Sequence, residues 1–311
     1  MSAIEDSLQE YISIRRALGF KMRFEVSALS QFVRFLEKED AFFITTDLAV
    51  RWATLPERVN PAQWANRLSM VRAFAQFHKS LDPRTEIPPQ GLLPHRYLRK
   101  RPYIYQDAEI LRLLQASSAL ESSIGLHAST FATLFGLLAV TGMRVSEPIA
   151  LDRADVDFKQ KVLTVRHTKF GKSRMIPLHP STISKLAEYS QLRDQLFPGV
   201  NSQSFFLSEN GKRLSRSKVY STFVNLSCEI GLRERDKNHG PRLHDLRHTF
   251  AVKTLIRWYQ EGVDVEQHMP ELTTYLGHTH VNYTYWYISA IPELLELASS
   301  RLTRIYREGP T

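Results

Sequence analysis

The sequence predicts a mostly α-helical protein with one small antiparallel β-sheet, divided into two parts. Three observations carry this prediction. Apolar residues recur at helical spacing through most of the chain. A single stretch, residues 156–178, switches to alternation. The segment "DPRTEIPPQGLLPHRYLRKRPYI" holds five prolines and one glycine and cannot continue a helix. At 311 residues the chain is long for one core and comfortable for two domains. The expected boundaries are a helical domain at 1–88, a basic proline-rich linker at 89–104 and a second domain at 105–311.

The first part reads as four short helices. "IEDSLQEYISIRRALGF" sets Ile4, Leu8, Tyr11, Ile12 and Ile14 near one stripe, with Gly19 as the stop. "SALSQFVRFLEKED" sets Leu29, Phe32, Val33, Phe35 and Leu36 together. "TTDLAVRWATL" follows, capped by Thr46 or Asp47. "PAQWANRLSMVRAFAQFHKSL" opens on Pro61, whose missing N–H is harmless in a first turn.

The second part begins near Tyr105. "DAEILRLLQAS" and "STFATLFGLLAVTG" read as helices, the second buried and ended by Gly142. In "VDFKQKVLTVRHTKFGKSRMIPL", Val162, Thr164, Arg166 and Thr168 alternate with Leu163, Val165 and His167. "KFGK" then reads as a turn and "SRMIPL" as the returning strand. The remainder is again helical, ending in "IPELLELASSRLTRIYRE".

Charge narrows the partners. Lys and Arg number 41 against 32 Asp and Glu, a net charge of +9 that favours polyanions, nucleic acid first. The linker run of Arg96, Arg99, Lys100 and Arg101 suits phosphate contact between two domains of a basic protein. Cys228 is the only cysteine, so no intrachain disulfide or cysteine metal cluster forms; its surroundings suggest a small core residue. Glu5 and Asp6 replace any apolar leader, and the longest apolar run falls short of the roughly 20 residues a bilayer requires, so the chain reads as cytosolic.

Four motifs carry chemistry. "HDLRHTFA" places His244, Arg247 and His248 at i, i+3 and i+4, able to share a helix face suited to an anion. A zinc helix or a metal phosphohydrolase competes for the histidine spacing, but Asp245 replaces the usual Glu and Arg247 would set a cation beside the metal. "TGMRVSEPIAL" puts Arg144 at a helix junction, free to enter a cleft or to pair with Glu147 on the surface. "HTKFGKSRMIPL" imitates a nucleotide-binding loop at "GKS", but position 166 is arginine and the context is strand-turn-strand. That leaves Lys169 or Lys172 on a hairpin tip. Finally, "LGHTHVNYTYWYISA" alternates Tyr283, Tyr285 and Tyr287, readable as a strand face, a base-stacking platform or a helix.

In combination these motifs, in the order Arg, hairpin Lys, His-x-x-Arg, His, Tyr, resemble the tyrosine site-specific recombinase family, which includes phage integrases and Xer-type recombinases. The resemblance covers about 105–290 by motif and the helical N-terminal region by layout. It implies a core-DNA-binding domain and a catalytic domain forming a C-shaped clamp on duplex DNA. It also implies a covalent 3′-phosphotyrosyl intermediate. The implied catalytic set is Arg144, Lys169, His244, Arg247, His278 and Tyr287. The arginines would bind the scissile phosphate, joined by both histidines, and His244 could help deprotonate the nucleophile. Lys169, before the turn, is the implied general acid, which leaves Lys172 as a DNA contact. Tyr287 is the implied nucleophile, nine residues after His278 and three after Thr284. Ser289 stands where the family often has histidine. Trp286 would pack in the core.

No metal, ATP or other cofactor is then needed, because the phosphotyrosyl bond retains the energy for religation. The implied partners are double-stranded recombination sites and further copies in a tetrameric synapse. The C-terminal helix, with Leu294, Leu295, Leu297, Leu302 and Ile305, would dock on a neighbouring subunit. The leading expectation is the integrase or transposase of a mobile element. Chromosome-dimer resolution, a type IB-like topoisomerase and a non-catalytic DNA-binding regulator are the alternatives.

Overall fold

The computed structural model describes residues 2–57, 59–94, 101–166, 173–235 and 240–308, with side chains described to 301. The chain divides into two compact units, Met1–Lys100 and Arg101–Thr311.

The first unit is a bundle of α1 (Ala3–Ala17), α2 (Arg23–Lys38), α3 (Thr46–Thr54) and α4 (Pro61–His78). Its core gathers Leu8, Leu29, Phe32, Val33, Leu36, Trp52, Val71 and Phe74. Three helix starts follow capping chemistry, with the Ser2, Thr45 and Asn60 side chains accepting from first-turn amides. The cap of α3 is therefore Thr45, ahead of the expected Thr46 or Asp47, because its hydroxyl reaches the Leu48 amide at 3.2 Å. Ile14 departs from the expected stripe. It is 42% exposed, because the 3.6-residue period carries it away from the line through Leu8 and Tyr11. Inside the bundle, the Ser7 hydroxyl and His78 Nδ1 pair at 2.8 Å.

The second unit opens with α5 (Asp107–Ser118) and α6 (Leu126–Thr141), then α7 (Ser146–Ala150). Next comes a three-stranded antiparallel sheet of β1 (Val156–Asp157), β2 (Val162–Val165) and β3 (Arg174–Pro177), in that order. The β2–β3 register pairs Leu163 with Ile176 and Val165 with Arg174. Leu163, Val165 and Ile176 face the core, as alternation requires. Among the described residues six helices follow: α8 (Pro180–Leu196), α9 (Arg216–Glu229), α10 (Asp245–Gln260), α11 (Val265–Leu276), α12 (Asn282–Ala290) and α13 (Pro292–Glu308).

Two apolar clusters hold this unit. One joins α5, α6, the sheet, α8 and α9. The other joins α10, α11, α12 and the start of α13. Leu294 of α13 is fully buried in its own unit, so the first turn of that helix packs in place. Cys228, expected in the core, is only partly buried: Leu226 and Ser227 take the inward positions of α9. Among the described residues, no helix is long and apolar enough to cross a membrane.

Candidate active site

Three helix ends build the candidate site. α6 ends at Gly142 in the left-handed conformation, φ 61°. A Cβ there would lie 2.6 Å from the Phe250 ring, so the position needs glycine for space as well as for φ. α10 starts immediately after His244. Its entry is fixed by Asp245, which accepts from the Arg242 amide at 2.8 Å. It is fixed again by Thr249, which receives the Tyr105 amide at 2.9 Å. α11 ends at Leu276, with Gly277 left-handed at φ 67°.

A helix C-terminus presents carbonyls without intrahelical partners and the negative end of the helix dipole. Arginines from three other segments take three consecutive carbonyls at the end of α11. Arg174 Nε donates to Tyr275 O at 2.7 Å, Arg247 Nη2 to Leu276 O at 2.6 Å, and Arg144 Nη2 to Gly277 O at 2.5 Å. Arg247 Nη1 also donates to Gly142 O at 2.8 Å, binding the ends of α6 and α11 together. A Cβ on Gly277 would sit 3.0 Å from Arg174 Nη1 and 3.3 Å from Arg144 Nη1.

Glu147 anchors the cluster from below. The sequence allowed a surface pair between Arg144 and Glu147; the carboxylate is instead 7% exposed. It accepts from Arg144 Nη1 at 3.0 Å and the Arg144 amide at 2.8 Å. Arg174 grips it with both Nη atoms, at 2.9 and 2.7 Å. Burial pushes the Glu147 carboxyl up, but the hydrogen bonds and charge of Arg174, with help from Arg144, outweigh it and hold the group below the usual carboxylate range.

Arg247 is 2% exposed. Burial, then the charge of Arg144, lower its guanidinium to about 10, so it stays cationic at neutral pH. His244 is lowered to about 4 by burial and then by Arg247, and is therefore an uncharged imidazole. A guanidinium carries five N–H donors, more than Glu147 and the carbonyls take from Arg144 and Arg247 among the described residues.

The tyrosine run forms a helix, not a strand. On α12, Tyr283 and Tyr285 are 46% and 37% exposed, while Tyr287 is 0% exposed. Its hydroxyl lies 2.8 Å from His248 Nδ1. An electrostatic interaction also links the phenol to Arg247, beside the arginine cluster. His278 directly follows Gly277, and its Nδ1 lies 2.8 Å from Thr284 Oγ1. Thr284 in turn pairs with Thr273 at 2.9 Å, so the threonine three residues before Tyr287 ties α12 to α11. Trp286 is partly buried against the same apolar cluster.

The structure thus brings Arg144, His244, Arg247, His278 and Tyr287 to one region of the second unit. Lys169, Lys172, Arg96, Arg99 and Lys100 lie outside the described residues. Arg101 is described and exposed. Among the described residues no three His, Cys, Asp or Glu side chains form a metal-binding group. Sequence reasoning missed the buried role of Glu147 and all of Arg174. It placed His248 on the anion-binding face with His244 and Arg247, but not against Tyr287. The one available signal was Arg174 beginning a strand that otherwise alternates.

The phage integrase family model matches residues 104–293, a span that includes every residue of this cluster. The chain belongs to the phage integrase family of tyrosine recombinases. Two relatives within Sinorhizobium fredii support membership along the whole chain. The integrase/recombinase-type protein y4rB is 46% identical over 312 residues, covering 99% of each chain. The integrase/recombinase-type protein y4rE is 34% identical, covering 95% of this chain and 94% of its own. The fold also matches that of the Tn1549 transposon integrase, solved in complex with transposon right end DNA. That match has a TM-score of 0.67 at 17% identity and covers 96% of this chain and 99% of the other. For a phage integrase family member, the arginine cluster beside a buried tyrosine is the place to look for strand chemistry.

Proposed function

We propose that this chain is a site-specific DNA recombinase of a mobile element, an integrase or transposase that cuts and rejoins duplex DNA through a 3′-phosphotyrosyl bond. The observation that carries the reading is the seating of Arg144 and Arg247 on consecutive carbonyls at the end of α11, with His278 next in sequence and Tyr287 beside them. Two fixed guanidiniums suit the non-bridging oxygens of a phosphodiester under attack, where charge develops. They are preorganised, because helix ends and Glu147 hold them before substrate arrives.

In this reading Tyr287 is the nucleophile. Arg144 and Arg247 bind the scissile phosphate. His244, uncharged, and His278 add hydrogen bonds to it. Lys169 protonates the departing 5′ oxygen. Arg96, Arg99, Lys100, Arg101 and Lys172 contact DNA backbone, and four copies assemble on two sites. The names of the relatives and the DNA-bound Tn1549 integrase support a mobile-element role. The two-unit division supports separate DNA-binding and catalytic domains.

The test is a covalent-complex assay on a nicked duplex taken from the ends of the chain's own genetic element, in EDTA. A slow-migrating protein–DNA species that survives denaturant and disappears with protease is expected. DNA binding without any such species would overturn the enzymatic reading in favour of a DNA-binding regulator.

A further inference from the structure

Removal of the nucleophile's proton, for which the sequence resemblance offers His244, has a second candidate in the structure. A phenol with pKa about 10 is a weak nucleophile until its proton is removed. We propose that His248, whose Nδ1 lies 2.8 Å from the Tyr287 hydroxyl, is the catalytic residue that takes this proton during cleavage and returns it during religation. This inference rests on the strand-transfer reading above.

The geometry favours His248 in three ways. Its ring nitrogen already stands at proton-transfer distance from the reacting oxygen. Both groups are buried, so water does not compete for the proton. The ring is also oriented from outside: His244 meets it edge-on at 4.8 Å, and Tyr287 and Trp286 flank it at 5.5 and 6.0 Å. The titratable groups nearby are Arg247, its neighbour on α10, and His244. Arg247 carries a positive charge that attracts the negative charge developing on the Tyr287 oxygen. His244 is held uncharged, its affinity for protons reduced by burial and by Arg247.

The step balances. With its own proton on Nε2, His248 accepts from the phenol through Nδ1. The Tyr287 O–H bond breaks, and its electron pair forms the new O–P bond. The P–O5′ bond breaks, and the 5′ oxygen takes a proton from the general acid, Lys169 in the reading above. His248 is left as imidazolium. In religation the 5′ hydroxyl attacks phosphorus, the O–P bond to tyrosine breaks, and His248 gives its proton back to the phenolate.

The competing role is purely structural, since a buried phenol needs a hydrogen-bond partner in any case. Fluorinated tyrosine separates the two. His248→Asn places an amide where Nδ1 stands and keeps the hydrogen bond, but cannot accept a proton. His248→Gln is the second version. Each is made with tyrosine or with trifluorotyrosine at position 287, whose phenol is already largely ionised near neutral pH. Adduct formation is timed on the nicked duplex at pH 7.5.

The expected result is a rate about 10²-fold or more below wild type with ordinary tyrosine. At least tenfold of that loss should return with trifluorotyrosine. The ratio is taken within each variant, so partial misfolding lowers both arms alike. A His248→Asn rate within threefold of wild type would overturn the inference. So would a loss that trifluorotyrosine does not relieve in either version. Absence of adduct from wild type as well would overturn the strand-transfer reading and the inference with it.

Discussion

The bundle of the first unit and the arginine cluster of the second solve opposite problems. The bundle buries apolar side chains around an interior polar pair, Ser7 with His78. Even there His78 is kept uncharged by burial, and its Nε2 has no partner among the described residues. The second unit buries Glu147, Asp245, Arg247 and His248 within one region. Buried charge is destabilising unless every member is paired, so this region spends stability to hold cations ready. The difference teaches where function sits: the bundle should tolerate joint exchange of its polar pair, whereas the cluster should depend on each partner.

Removing Glu147 should break the comparison most severely. Glu147→Ala leaves Arg144 and Arg174 without their shared carboxylate, and breaking such a buried pair costs about 3–5 kcal/mol. Denaturant unfolding of the second unit checks the stability. Adduct formation should fall more than tenfold alongside it, because Arg144 loses its seat.

Acid comes next. The folded His244 is lowered to about 4 from 6.5, so the unfolded chain binds the extra proton first. Stability from this group is therefore full above about 6.5 and is lost as pH falls toward about 4, to a limit of roughly 3 kcal/mol. Melting temperature across that window, compared with His244→Asn, should show a shallower acid limb in the variant.

Gly277→Ala should have a smaller effect. It forces an L residue into φ 67° and sets a methyl 3.0 Å from Arg174 Nη1. A loss of about 1–2 kcal/mol in unfolding free energy is expected. A larger proportional drop in adduct rate should accompany it, since Arg144 and Arg174 must shift.

The smallest net effect belongs to a paired change in the bundle. Ser7→Ala alone leaves His78 Nδ1 unpartnered and should cost about 1–3 kcal/mol. Joining it with His78→Leu should bring stability back to within about 1 kcal/mol of wild type. A double-mutant cycle read by urea unfolding measures this. Failure to recover would mean that the polar pair matters as much in the bundle as Glu147 does in the cluster.

Legibility in the sequence followed the same division. Periodicity located the helices of the bundle, because each buried face recurs within one segment, as Leu29, Phe32, Val33 and Leu36 do. Its errors were local: Ile14 drifts off the stripe, and the α3 cap lies one residue early. The alternation of Leu163 and Val165 located the sheet. In the cluster, motif order singled out Arg144, Arg247, His278 and Tyr287 as belonging together. It could not reveal Arg174 on Glu147 or His248 on Tyr287, because these contacts join positions 27 and 39 residues apart with no periodic trace. Nor could alternate tyrosines announce a helix; a two-residue spacing suits a strand, and only packing against α10 and α11 decides otherwise.

The central claim is that the buried tyrosine, not its exposed neighbours, attacks DNA. The most direct measurement digests the adduct formed on the nicked duplex and locates the nucleotide by mass spectrometry. It is run on wild type and on the Phe variants of Tyr283, Tyr285 and Tyr287. The account predicts a nucleotide on Tyr287, no adduct in Tyr287→Phe, and undiminished adduct in the other two. A nucleotide on Tyr283 or Tyr285, or an adduct that survives in Tyr287→Phe, would contradict it.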